Sequence, residues 1–234
     1  MYNDKRLLAI IPARGGSKGI PHKNIIDLDG KPLIEYTIDA SIHSNYIDYT
    51  FVSTDDVEIA TIAKNAGAKV PFLRPVELAL DTSKTIDAVL YSVRKLEEIG
   101  ECFDAIVLLQ ATQPLRTVED VDAAIRLYFE SGCKSLASVC EVDDNPVLIR
   151  TIQNDSLIRL LNVESTVRRQ DMPVYYRVNG CIYINSISQL NEKTSFNDNE
   201  YPYVMDREHS VDIDEMKDVY IAKYYLRMRN SHSN

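Results

Sequence analysis

Residues 7–24 read LLAIIPARGGSKGIPHKN, and the rest of the chain is organised around this stretch. Leu7 to Ile11 form an apolar run that suits a short buried strand. It leads straight into a loop with three glycines, Gly15, Gly16 and Gly19, where a bare backbone can turn sharply and aim its N–H groups inward. Such a loop suits an anion. Arg14, Lys18, His22 and Lys23 lie on it, and residues 12–26 contain no Asp or Glu, although the whole chain has 35 acids against 26 bases. The spacing excludes the two common phosphate loops. Lys18 is followed by Gly19, where Walker A requires Ser or Thr, and the glycines do not fall at GxGxxG positions. A solvated glycine loop with surface lysines is the competing reading.

With 234 residues and 45% apolar content, the chain is expected to form one domain, 1–234, with a sizeable core. A net charge of −9 argues against nucleic acid or an anionic membrane as the main partner, so an anionic ligand needs a local basic pocket. Cys102, Cys133, Cys140 and Cys181 show no CxxC spacing, which indicates neither a zinc site nor a redox pair. They read as core residues in a reducing, cytoplasmic compartment. The first apolar run is too short for a signal peptide, and no stretch is long enough to cross a bilayer.

Outward from the loop, strand and helix signals alternate. Lys31-Pro32 begins a helix with Ile34, Ile38 and Ile42 every fourth residue. A strand over 49–53 and a helix capped by Asp55-Asp56 and stopped by Gly67 complete a strand-helix-strand unit. A short strand over 69–72 and a helix over 82–96 follow. Residues 105–109, the most apolar strand, are expected in the centre of a parallel sheet. Beyond its carboxyl end lies the polar segment QATQPLR, 110–116, in the region where open α/β sheets bind ligands. A helix over 118–129 continues the alternation, which predicts an α/β fold with a mostly parallel sheet.

After a strand over 135–140 the texture changes. Residues 141–176 carry only β-prone pieces around 148–152 and 157–161, split by turn signals at 143–146 and 154–156. This predicts an antiparallel excursion that cannot bury both faces alone and needs a partner surface. A core strand over 178–184, two short strands within 203–214 and a helix over 215–228 complete the chain. The helix is expected to pack through Met216, Val219, Tyr220 and Tyr224, with 230–234 a frayed tail.

Asp212-Ile213-Asp214 places two carboxylates on one side of an extended segment. Mg²⁺ favours one or two carboxylates plus substrate phosphates, so this pair and the phosphate loop support each other; taken alone, the pair also reads as a helix cap. Asp218 reads as a surface acid near the helix start. Arg177-Val178-Asn179-Gly180 sets Arg and Asn on one face beside a glycine that admits a ligand, or is an ordinary Asn-Gly turn. Arg168-Arg169 is either solvated or reaches an anion in a partner's site. Arg74, Thr85 and Gln110, near strand ends, suit a base edge or sugar hydroxyls. The four histidines form no recognisable pair.

IPARGGSKGIPHKN, LRPVELALDT, LLQATQPLR, RVNGCIYI and SVDIDEMKD stand in the order and spacing of the bacterial CMP-N-acylneuraminate synthetases, and from Leu7 to about Leu226 the chain resembles that family. The resemblance implies a Rossmann-like, three-layer α/β/α fold with residues 143–176 exchanged as a dimerisation extension between the subunits of a homodimer. It implies transfer of CMP from CTP to the anomeric hydroxyl of a nine-carbon 2-keto sugar acid, an N-acylneuraminate or a close relative, with release of pyrophosphate and Mg²⁺ as cofactor. Carried onto this sequence, Arg14, Gly15, Ser17, Lys18, Lys23, Asn24, Arg74 and Thr85 bind the nucleotide. Asp212 and Asp214 hold the metal, while Gln110, Arg169, Gln170, Arg177, Asn179 and Tyr183 surround the sugar acid. Lys18, Arg14 and Asp212 are the expected catalytic residues, acting by positioning and charge stabilisation. Ala111, Gln113 and Leu148, where the last is frequently lysine, depart from the family pattern, and all are expected near the sugar. They leave legionaminic and pseudaminic acids as alternative substrates. Two rivals are a 3-deoxy-manno-octulosonate cytidylyltransferase, whose loop has a Ser-Thr-Arg version, and a catalytically silent nucleotide-binding module, which would lack Asp212 and Asp214.

Overall fold

The computed structural model describes residues 1–17, 19–166 and 168–232, apart from the side chains of 169, 230 and 232. The opening stretch supplies β1 (Leu7–Pro12), and a small hairpin of β2 (Asp27–Leu28) and β3 (Lys31–Pro32) turns the chain into α1 (Leu33–Ile42). Then come β4 (Tyr49–Ser53), α2 (Val57–Asn65), α3 (Thr85–Glu98), β5 (Ala105–Leu109), α4 (Val118–Ser131) and β6 (Ser135–Glu141). A separate hairpin, β7 (Arg150–Gln153) and β8 (Ser156–Arg159), precedes β9 (Tyr176–Ser186), β10 (Tyr201–Val204) and α5 (Met216–His232).

The main sheet has the order β10-β6-β9-β5-β1-β4. β1 is parallel to β4 and β5, and β10 to β6, while β9 runs antiparallel between β5 and β6. Strand alternation divides the core. Leu7, Ala9 and Ile11 face α1, α2 and α4, and Leu8 and Ile10 face α3, which gives the three layers of a Rossmann-like fold. The sequence supplies the caps. Asp56 accepts from the N–H groups of Glu58 and Ile59, and Thr117 and Asp120 form a reciprocal box at the start of α4. None of the described helices is long and apolar enough to cross a membrane.

Several expectations change. Residues 69–72 make a single bridge from Lys69 to Phe51, because Pro71 has no N–H with which to extend a ladder. The helix expected from Thr82 begins at Thr85, after Ser83 closes a turn onto Leu80. Residues 205–214 form irregular structure rather than a further strand. The last helix packs through Val219, Ala222 and Leu226, a stripe at i, i+3 and i+7, and turns Met216, Tyr220 and Tyr224 to solvent; it also continues to His232. The excursion is a hairpin outside the main sheet, with Ile152 and Leu157 75% and 71% exposed.

Candidate active site

Because β4, β1 and β5 are parallel neighbours, the loop after β1, the turn after β4 and the segment after β5 all emerge on one rim of the sheet. On this rim the loop after β1, residues within 74–88 and the segment after β5 line a cavity of about 340 Å³. Arg14, Ser17, Lys23 and Asn24 line it from the loop, Arg74 and Thr85 from the opposite wall, and Gln110 from the end of β5. Lys18, the expected catalytic cation, lies outside the described residues. Gly15 stands behind the cavity wall and donates its N–H to Asp55 Oδ1 at 3.1 Å.

The loop glycines serve close approach rather than a left-handed turn. None of Gly15, Gly16 and Gly19 has a positive φ; the left-handed residue here is His22, at φ 51°. A Cβ on Gly15 would lie 2.5 Å from Asp56 Oδ2, and one on Gly19 would lie 2.5 Å from the backbone oxygen of Asp214. At Gly16 a Cβ would meet nothing within 4 Å, because this residue faces the cavity.

The acid-free loop acquires acids when the chain folds. Arg14 pairs with Asp81 at 2.6 Å, Lys23 with Asp214 at 2.8 Å, and Arg74 lies 3.8 Å from Asp55. Carboxylates distant in sequence thus hold the cations in line. Burial pushes the Arg74 pKa down against the charge of Asp55, and its buried Nε has no protein partner. That leaves an N–H donor beside the cavity that Arg74 lines.

Asp212 and Asp214 do not share one face of a strand. Buried Ile213 donates its N–H to the Thr112 carbonyl at 2.9 Å, and the loop so fixed leaves Asp214 exposed and Asp212 largely buried. Asp212 Oδ1 is buried without a protein partner. Burial raises the Asp212 pKa, Asp214 adds to the rise, and a hydrogen bond from Thr112 and the charge of Lys23 oppose it. An orphaned carboxylate oxygen near a second carboxylate fits a cation. Among the described residues no three His, Cys, Asp or Glu side chains gather into a protein-only cage, so ligand oxygens would have to complete the shell. Asp218 accepts from the N–H groups of Asp214 and Glu215, at 3.0 and 2.8 Å, and so holds the start of α5.

A second cavity of about 360 Å³ adjoins the first and shares Lys84, Thr85 and Gln110 with it. Tyr183 lines this one. Its hydroxyl donates to Asn197 Oδ1 at 2.6 Å, and burial, with the charge of Asp212, pushes its pKa up to about 12. Gln110 is fixed from behind: buried Arg116 donates to its carbonyl at 3.0 and 3.3 Å, to the Cys181 carbonyl at 2.9 Å and to Thr37 Oγ1 at 2.9 Å. Gly180, at φ 77°, lets the Gln110 amide pack where a Cβ would stand 2.9 Å from Oε1.

The other expected sugar residues are not brought together. Arg177, exposed, donates to the Ser210 carbonyl at 3.4 Å, Asn179 is buried, and Gln170 is exposed on the excursion; none lines either cavity. The Arg169 side chain lies outside the described residues. The family departures also scatter. Ala111 lines the first cavity, Gln113 is buried and donates to the Asn179 carbonyl at 2.6 Å, and Leu148 sits on the excursion. Sequence reasoning missed Asp55, Asp81, Thr112 and Asn197. Their partners lie 40 residues away for Asp55 with Gly15 and 14 for Asn197 with Tyr183, and no local spacing signals either contact.

A family model described as cytidylyltransferase matches residues 8–228. The chain belongs to the cytidylyltransferase family. This cytidylyltransferase is 39% identical over 197 residues to the CMP-N,N'-diacetyllegionaminic acid synthase of Legionella pneumophila, with 82% of each chain covered. It is 33% identical over 226 residues to a pseudaminic acid cytidylyltransferase of Campylobacter jejuni, covering 95% of this chain and 97% of that one. With an N-acylneuraminate cytidylyltransferase of Streptococcus agalactiae it shares 36% identity over 215 residues, which is 90% of this chain but 51% of the relative, so the cytidylyltransferase described here spans about half that protein. In fold it is similar to a CMP:2-keto-3-deoxy-manno-octonic acid synthetase complexed with CTP, at a TM-score of 0.70 and 16% identity, over 96% and 99% of the two chains.

Proposed function

We propose that this cytidylyltransferase transfers CMP from CTP to the anomeric hydroxyl of a nonulosonic acid and releases pyrophosphate. The observation that carries the reading is the pair of cavities meeting at Gln110: one lined by Arg14, Lys23 and Arg74, the other by Tyr183. The first suits a triphosphate and base, and the second suits the acceptor. The named activities of the relatives in legionaminic, pseudaminic and N-acylneuraminic acid chemistry support the acceptor class. The enzyme acts in the cytoplasm as a single domain, with residues 143–176 as the extension that joins two copies. The exposed apolar hairpin in that segment supports this assembly.

In the transfer, the anomeric hydroxyl attacks the α-phosphorus while pyrophosphate leaves in line, so negative charge grows on the leaving oxygens. Arg14 and Lys18 stabilise that charge, with Arg14 exchanging its Asp81 partner for phosphate oxygens. Lys23 and Asn24 hold the triphosphate from the loop wall, and Arg74 offers its unpaired Nε to the nucleotide. Gln110, fixed by Arg116, orients the acceptor at the junction of the cavities. Asp212 and Asp214 would hold Mg²⁺, which supplies charge neutralisation at the phosphates and a lower pKa for the attacking hydroxyl. The test is pyrophosphate release from CTP with a panel of acceptors: N-acetylneuraminate, legionaminic acid, pseudaminic acid, 3-deoxy-manno-octulosonate and a neutral hexose. The reading expects release with a nine-carbon acid; release only with the eight-carbon acid or the hexose would overturn it.

A further inference from the structure

Asn179 lies in the RVNG segment of β9, the strand that also carries Tyr183, yet nothing about its surroundings offers it to a ligand. It is 3% exposed. Its Oδ1 accepts from Ser138 Oγ at 2.6 Å and from the Cys181 N–H at 3.1 Å, which fills both lone pairs of the amide oxygen. Its Nδ2 donates to Ser210 Oγ at 2.9 Å and faces Met205 Sδ at 3.5 Å. The amide orientation follows from its partners. The Cys181 N–H requires an acceptor, and Ser138 Oγ already accepts from the Ile182 N–H at 2.7 Å, so its proton is the one left to donate. Two strands are joined here, at the point where the β6–β9 register slips around Ser138.

The remaining bond leads out of the sheet. Ser210, 1% exposed, donates to the Asp206 carbonyl at 2.8 Å and receives Asn179 Nδ2, which ties the irregular segment before α5 to β9. Three residues later the Ile213 N–H meets the Thr112 carbonyl at 2.9 Å. Val211 and Asp212 are the two residues between these ties, and Asp212 has a buried oxygen with no protein partner. We propose that Asn179 is a positioning residue: through Ser210 it holds the loop that presents the Asp212 carboxylate, and it touches no atom of the sugar acid. This rests on the reading of Asp212 as a metal ligand.

Ser210→Ala cuts the link while leaving Ser138 and Cys181 paired with Asn179, and Asn179→Ala is the supporting variant that orphans both. Mn²⁺ binding in the presence of CTP, followed by loss of the free-ion electron paramagnetic resonance signal, is measured beside the sugar-acid KM and the Tm. Ser210→Ala removes both bonds of the hydroxyl, the one from Asn179 and the one to the Asp206 carbonyl, which predicts at least about tenfold weaker Mn²⁺ binding, with the sugar-acid KM within about twofold of wild type. Unchanged Mn²⁺ binding with a raised sugar-acid KM, in either variant, would overturn the proposal and return Asn179 to the sugar. Wild-type protein that binds no Mn²⁺ with CTP would overturn both the proposal and the metal reading beneath it.

Discussion

Substitution of the loop glycines separates the two jobs that the structure gives them. In Gly19→Ala the new methyl would stand 2.5 Å from the Asp214 backbone oxygen, well inside van der Waals contact, and neither group is the end of a flexible side chain. Either the loop or the 212–214 segment must move. Overpacking of this kind costs about 1–3 kcal/mol, and in a chain of this size each kcal/mol lowers Tm by about 2–4 °C. Because Asp214 also pairs with Lys23, the displacement loosens both a cavity cation and a candidate metal ligand, so turnover falls as well. Gly16→Ala has the opposite signature. Its methyl meets no protein atom within 4 Å, and a Gly→Ala change at a negative φ leaves stability unchanged or raises it by about 0.4–1 kcal/mol. The methyl enters the cavity proposed for CTP, and a rise of about tenfold in the CTP KM, equivalent to about 1.4 kcal/mol, is the expected result. Scanning calorimetry and initial rates at varied CTP read both effects. A Gly19→Ala protein with wild-type Tm and turnover, or a Gly16→Ala protein as destabilised as Gly19→Ala, would refute the reasoning.

Lys18→Ala is expected to lower turnover at saturating CTP at least about a hundredfold, the scale of losing one charge contact to the transition state; near-normal turnover would remove Lys18 from the mechanism. His209 Nδ1 lies 2.8 Å from Asp120 Oδ2, and that close contact raises the His209 pKa despite burial. The stability it contributes is therefore complete below the unfolded value of about 6.5 and is lost as pH rises through the raised one. Between pH 6 and 8.5 the Tm of wild type should fall more than that of His209→Gln, and equal or reversed slopes would contradict the pairing. For the assembly, light scattering at micromolar concentration should give a dimer mass for the intact chain and a monomer mass for Ile152→Asp/Leu157→Asp, whose exposed apolar pair is then charged; a monomeric intact chain would remove the dimer.

The parallel part of the sheet was legible because β1 and β5 are apolar on both faces and alternate with capped helices. The direction of β9 was not, since a fully buried strand has the same pattern whichever way it runs; only its partners, β5 and β6, fix it as antiparallel. The loop was recognisable from its glycines and cations, and the structure places its Arg14, Gly16 and Lys23 at one cavity. What the local pattern hid was the folded electrostatics: Asp81 and Asp214 come to the loop from other segments to pair with Arg14 and Lys23, and Asp55 takes the Gly15 N–H. The Asp-x-Asp spacing misjudged the local geometry. It assumed a strand, whereas the hydrogen bond from Ile213 to Thr112 fixes a loop in which one carboxylate is largely buried and the other is solvated. Alternation along β9 could not reveal that the Asn179 amide is filled by Ser138, Cys181 and Ser210.

The central claim is that the anomeric oxygen of the acceptor becomes the bridge to the CMP phosphorus. A nonulosonic acid equilibrated and turned over in ¹⁸O-water carries the label on its anomeric hydroxyl, and mass spectrometry of the products with CTP then locates it. The account predicts a CMP-sugar with one ¹⁸O in the sugar–phosphate bridge and unlabelled pyrophosphate. Labelled free CMP as the main product, meaning attack by water, or label in the pyrophosphate would contradict it.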